Sequence, residues 1–302
     1  MRARLIAAFA AVYVIWGSTY LAIRFAVETL PPLSMAGARF LIAGAILLAW
    51  ARFKEGRVAP TRTEWRTGLI AGTLMLLGGN GAVSWAEQRV PSGITALLVA
   101  IVPLWMVVLE WLRPAGVRPR WPVFVGVALG LVGLMLLIGP DALAGEGDLD
   151  MVGALVLVLG SLSWAVGSLY AQRAPRAASG TIGSGTQMVA GGAMLALAAL
   201  AMGEGPQLLH MQPSTQSVIA FVYLLTFGSL VGFTAYLYLL AHTTAARAST
   251  YAYVNPVVAV LLGWALAHEP VTPRTMLSAV VILAGVTTIT IAKDDPAARP
   301  AR

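Results

Sequence analysis

Three charged side chains, Arg24, Arg39 and Glu110, stand inside stretches that are otherwise apolar for about the length of a membrane crossing. A central charge there costs roughly 2.5–3.5 kcal/mol on insertion scales. It is therefore held by a partner, by snorkelling to the interface, or by work on a solute or ion. Arg24 and Arg39 lie toward the ends of their stretches, and Glu28 follows Arg24 at i,i+4. Snorkelling is their structural reading; contact with a substrate carboxylate or part of an outer gate is the functional one. Glu110 is the one carboxylate clearly within a stretch, which makes it the candidate for proton coupling, yet Arg113 close by offers it a plainer role as ion-pair partner.

Uncharged polar and aromatic residues recur at helical spacing. Tyr13, Trp16, Tyr20 and Arg24 follow at steps of three, four and four and share one helix face. Asn80, Ser84 and Gln88 form a second stripe, Thr226, Ser229, Phe233 and Tyr236 a third, and Tyr251 and Asn255 share a face beside Pro256. Polar groups within a bilayer turn to the bundle interior, where they bridge helices or line a cavity. Bridging is favoured for Ser and Thr; Asn80, with four hydrogen-bonding opportunities, suits either.

Several chemistries are disfavoured. No GxxxxGK[ST] loop occurs, so energy is expected from a gradient and not from ATP hydrolysis within the chain. His210, His242 and His268 lack metal-ligand spacing, and the absence of cysteine rules out disulfide and thiolate–metal sites. An enzyme acting on lipid-linked substrates would need clustered Asp, His or Lys at the interface. A channel or sensor would be argued by rings of charge or an appended domain. Neither pattern is visible; the expectation is no catalytic residue, no cofactor and no metal, with a small-molecule substrate and the lipid bilayer as partners.

The elements that must position these residues are ten apolar stretches: Leu5–Val27, Leu33–Ala51, Trp65–Ala86, Pro91–Leu112, Trp121–Ile138, Met151–Ala171, Thr181–Met202, Val218–Ala241, Ala246–Ala267 and Pro273–Ala292. The first runs too long for the apolar part of a signal peptide and is read as an uncleaved span. The net charge of +7 forms no nucleic-acid footprint, because Lys and Arg sort by membrane side. With the N-terminus inside, only Arg89 and Arg274 fall outside, which selects cytoplasmic N- and C-termini. Most acids, among them Glu87 and Glu204, then fall outside and are expected on a solvated surface.

Ten stretches divide into two sets of five, and five being odd, the second set must run inverted. The boundary is the acidic loop 141–150, between residues 1–140 and 151–292, with a cytoplasmic tail at 293–302. Trp16 and Tyr20 are echoed by Trp164 and Tyr170, and each fourth stretch carries an internal proline, Pro103 or Pro256. Proline frees a helix carbonyl, which a membrane tolerates best beside neighbouring helices or a wet cavity. Gly126-x-x-x-Gly130 is a small-residue packing motif, which leaves a homo-oligomer open.

Trp16-Gly17-Ser18-Thr19-Tyr20 with Arg24, Pro31-Pro32 and Arg39-Phe40; Gly79-Asn80-Gly81; Pro91-Ser92-Gly93 through Pro103; Gly228-Ser229; Ala248-Ser249 through Asn255-Pro256; and His268-Glu269-Pro270 with Gly285 together resemble the drug/metabolite transporter superfamily and its EamA-type exporters. One departure is Gly116, at the place matching the acid Glu269 of the second half. The resemblance implies an all-α integral membrane protein of ten transmembrane helices in two inverted five-helix repeats, exporting small metabolites, amino acids or drugs across the inner membrane by alternating access. It makes Trp16, Tyr20, Asn80, Ser84, Pro103, Trp164, Tyr236, Tyr251 and Asn255 the substrate-binding candidates, with Arg24, Arg39 and Glu110 as a gate or charge network.

Overall fold

The computed structural model describes residues 2–56, 59–90, 92–113, 119–138, 150–258 and 272–291, and every regular element among them is helical. In chain order these are α1 (Arg2–Val27), α2 (Pro32–Lys54), α3 (Arg62–Ala86), α4 (Ser92–Val99), α5 (Val102–Leu112), α6 (Trp121–Ile138), α7 (Met151–Arg173), α8 (Gly180–Ala201), α9 (Glu204–His210), α10 (Thr215–His242), α11 (Ala245–Ala248), α12 (251–258) and α13 (Pro273–Ile291). Six of them, α1, α2, α3, α7, α8 and α10, are long and apolar enough to cross a membrane, and α5, α6 and α13 are shorter apolar helices. The protein is an all-helical, multi-pass membrane protein. Gly116, His268, Glu269, Pro270 and the acidic loop up to residue 149 lie outside the described residues.

The expected fourth stretch is two helices. α4 ends at Val99 and α5 starts at Val102, so Pro103 occupies the first turn of a new helix, where its missing N–H costs nothing. Glu204 is a second difference: it is buried, and its carboxylate accepts from the Leu33 and Ser34 N–H groups at 3.0 and 2.7 Å. These are free donors at the start of α2, behind Pro31-Pro32, where a negative charge is favoured. Glu64 closes a capping box with Thr61 at the start of α3 and also accepts from Ala178 N at 2.7 Å, which ties the α7–α8 connection to α3.

Glycine seams hold the helices together. Gly37 and Gly44 of α2 face Gly192 and Gly185 of α8 in antiparallel order, and a Cβ on Gly44 would sit 2.7 Å from the Val189 N. In α6, Gly126 faces Gly285 of α13, while a Cβ on Gly130 would press on the Tyr253 ring at 2.9 Å. The Gly126-x-x-x-Gly130 motif is therefore used inside this chain, where dispersion between close backbones replaces the hydrophobic drive that lipid removes.

α3 and α10 share a second feature. The middle of each, Thr73–Gly81 and Leu224–Phe233, is π-helical. Such wide turns leave carbonyls without their usual helical partner and recur at functional sites. Both segments carry glycines, Gly78, Gly79 and Gly81 in one and Gly228 and Gly232 in the other, which weaken the α-helical alternative and admit close neighbours.

Replacing Gly126 by leucine is expected to lower stability by about 1–3 kcal/mol through overpacking, read as a lower melting temperature in detergent. Gly180→Leu, where a Cβ meets open space, should melt like the parent; equal melting of both variants would contradict the seam.

Candidate substrate cavity

The tryptophan of each half's first helix docks on the other half's π-helical segment. From α1, Trp16 Nε1 donates to the Gly228 carbonyl at 3.1 Å, and its ring lies where a Cβ on Gly232 would be. From α7, Ser163 Oγ donates to the Leu74 carbonyl at 2.8 Å, and the Trp164 ring lies 2.7 Å from where a Cβ on Gly79 would be. The rest of the Trp16-Gly17-Ser18 motif continues this docking. Gly17 leaves room for Val258, and Ser18 Oγ shares a 2.6 Å hydrogen bond with the Tyr223 hydroxyl.

Between these crossings lies a cavity of about 80 Å3, several times the 10–15 Å3 or so that one water needs on this measure. Its wall takes Trp16, Thr19, Tyr20 and Ile23 from α1, Arg39 and Phe40 from α2, Gly79, Asn80 and Val83 from α3, and Val99 and Val102 from α4 and α5. The second half adds Gly160, Ser161 and Trp164 from α7, Gly228 and Phe233 from α10, and Tyr251 and Asn255 from α12. The aromatic side is one connected cluster. Trp16 meets Trp164, Tyr236 and Tyr251 at centroid distances of 5.6, 5.2 and 4.9 Å, and Phe40 meets Phe233 at 6.1 Å.

The polar side centres on Arg39, 2% exposed, which donates to Asn80 Oδ1 and leaves its Nε without a partner. With its amide turned so that Nδ2 donates, Asn255 bonds the Tyr251 and Tyr13 carbonyls at 2.9 and 3.3 Å, so half of its capacity is spent on backbone. Toward the N-terminal end of α1 lies a set of polar contacts. Glu110 pairs with Arg113 at 2.8 Å and with Arg173 of α7. Gln172 Nε2 donates to the Leu240 and Thr243 carbonyls at 2.9 and 3.0 Å, and the Tyr13 and Thr250 hydroxyls bond at 2.6 Å.

Of the residues selected from the sequence, Trp16, Tyr20, Asn80, Trp164, Tyr251, Asn255 and Arg39 line the cavity. Tyr236 stands behind the wall, where its hydroxyl donates to Ser168 Oγ at 2.9 Å and accepts from Trp164 Nε1 at 3.3 Å. Ser84 and Pro103 are buried away from the cavity, Arg24 is exposed, and Glu110 is held by Arg113 and Arg173 outside the cavity wall. Arg24 and Glu28 form no ion pair among the described residues. Two stripes break: Thr226, in the π-helical segment of α10, bonds back to the Val222 carbonyl, and Gln88 lies past the end of α3, exposed and donating to Trp85 O. Glu87, expected on the solvated surface, is buried with both carboxylate oxygens unpartnered. At the opposite rim Asp150 caps α7, and hydrogen bonds from the Gly153 and Val152 N–H groups, with Arg89 nearby, hold its carboxyl below the usual range.

The EamA-like transporter family matches residues 3–139 and again 151–291. The "Uncharacterized inner membrane transporter YedA" of Escherichia coli K12 is 41% identical over 290 residues, covering 96% of this chain and 91% of that protein. The "Uncharacterized transporter YoaV" of Bacillus subtilis is 25% identical over 91% of this chain and 92% of its own. A solved crystal structure superposes with a TM-score of 0.76 at 19% identity, over 96% of this chain and 98% of that one, a likeness of fold alone. The chain belongs to the EamA-like transporter family and is a membrane transporter.

Trp16→Phe keeps the ring but strips the donor from the Gly228 carbonyl. Leaving a buried acceptor unpaired costs about 1–3 kcal/mol, so the variant should melt earlier in detergent, whereas Trp50→Phe at an exposed site should not. Identical melting of Trp16→Phe and the parent would refute the crossed docking as a stabilising joint.

Proposed function

We propose that this transporter is a gradient-driven exporter of small amphipathic metabolites, amino acids or drugs, moving them across the inner membrane by alternating access between two inverted five-helix repeats, residues 1–140 and 151–292. In this reading the two repeats are joined by the linker 141–150, both termini are cytoplasmic, α4 and α5 together make the fourth crossing, and the stretch 246–267 makes the ninth. The observation that carries the proposal is a cavity whose wall is shared between both halves, aromatic on one side and bearing a buried Arg39–Asn80 pair on the other. Ligand sites have this composition: mostly apolar, with a few placed polar groups.

The roles divide accordingly. Trp16, Trp164 and Tyr251 contact the apolar part of the cargo; Arg39, Asn80 and Asn255 orient its polar part; Tyr236 braces Trp164 from behind. Glu110, held between Arg113 and Arg173, joins the halves at the cytoplasmic end as an inner gate. Carboxylates so engaged are structural partners first, and proton coupling by Glu110 is the lesser reading.

Purified protein in liposomes, given a broad panel of metabolites under an imposed proton gradient, is expected to move at least one of them saturably above empty vesicles. Asn80→Ala is expected to cut that flux tenfold or more with folded protein unchanged, and Glu110→Gln to leave its pH dependence unaltered. No flux above empty vesicles, or ionic conductance in place of saturable counterflow, would overturn the proposal.

A further inference from the structure

Glu87 follows the last residue of α3 and is 8% exposed, and neither of its carboxylate oxygens has a hydrogen-bond partner. An ionised carboxylate in that state gives up several kcal/mol of hydration for nothing local. Its charged and titratable neighbours come from two helices. Val83, whose carbonyl accepts from the Glu87 N–H one turn on, lines the cavity together with Tyr20 of α1 and Arg39 of α2, and these two and the exposed Arg24 lie within electrostatic reach of Glu87, with no ion pair formed to either arginine among the described residues. Arg89, two residues along, is turned away: it pairs with Asp150 at 3.6 Å and covers the Trp85 ring. Arg39 is equally underused, for it holds Asn80 while its Nε is bare. Two buried groups of opposite formal charge, neither satisfied and each within the other's field, form a site with two arrangements.

We propose that Glu87 is a proton-binding site linked to the cavity through Arg39. With the proton on, Glu87 is a neutral acid and the Arg39 guanidinium stays on Asn80 at the cavity wall, free to meet an anionic group of the cargo. With the proton off, the Glu87 carboxylate draws Arg39 toward itself and away from Asn80, and the cavity loses its cation. Proton and anionic cargo therefore favour each other's binding and move in the same direction, so export of an anionic cargo is driven by its own outward gradient; the linkage is reciprocal. This deepens the transport reading and rests on it for its biological meaning, but the site itself is testable without cargo.

The test is an infrared titration of the purified, cargo-free protein, following protonated-carboxyl absorption as pH is raised. The proposal predicts a buried-acid band that titrates in the parent, is absent from Glu87→Gln and is retained in Glu28→Gln. In Arg39→Gln, with Glu87 intact, the band should titrate about 1–3 pH units higher, the usual influence of one neighbouring opposite charge; this variant also decides the matter if Glu87→Gln does not fold. Persistence of the band in Glu87→Gln, or an unmoved midpoint in Arg39→Gln, overturns the proposal. Because liposome flux is measured separately, flux without a Glu87 band defeats this inference alone, and a Glu87 band without flux defeats the transport reading alone.

Discussion

The structure depends on two tryptophan-bearing helices docking into π-helical segments of the opposite halves. A lipid environment offers no hydrophobic reward for bringing helices together, so contact must come from close packing and from hydrogen bonds that lipid cannot supply. The wide turns of α3 and α10 expose the Leu74 and Gly228 carbonyls, and their glycines remove the side chains that would otherwise keep α7 and α1 away. The same feature that binds the halves leaves a gap between them. Within the two π-helical segments, Gly79 and Gly228 form part of the cavity wall.

Around this joint two kinds of contact are found. The α2–α8 and α6–α13 pairs meet along glycine seams with backbone in contact, an arrangement suited to moving as blocks. Elsewhere the contacts are polar: the Glu110–Arg173 pair, the Gln172 amide on two carbonyls, and the Tyr13–Thr250 hydroxyls. Toward the other end two buried charged groups, Arg39 and Glu87, are incompletely satisfied. Polar groups of that kind reduce stability where they stand, and in membrane proteins they are kept for solute or ion work.

Much of this was legible in the residues. Hydropathy and charge sidedness marked the helices, and the helical spacing of Tyr13, Trp16 and Tyr20 placed a cavity face on α1. Matched prolines pointed to a cavity wall, whereas Pro103 begins α5 away from the cavity and Pro256 lies within α12. What periodicity could not show was its own failure. A stripe counted at steps of three and four is carried round the helix by a π-turn, so Thr226 left the face assigned to it while Phe233 and Tyr236 stayed buried, and Gln88 fell beyond the end of α3. The glycine clusters at 78–81 and 228–232 were the available signal. Glu87 and Glu204 were misplaced for another reason: sidedness reports which end of a helix a residue is near, and not whether a neighbouring helix covers it.

Alternating access requires that the shared cavity be reached in turn from the two sides of the membrane. Because the chain contains no cysteine, Val83→Cys puts a single thiol on the cavity wall. Its labelling by a membrane-impermeant maleimide can be followed in vesicles of known orientation, with the reagent added to either face. Alternating access predicts labelling from both faces, with an imposed gradient shifting the balance between them. Labelling from one face only, unchanged by any gradient, would mean a static pocket and contradict the account.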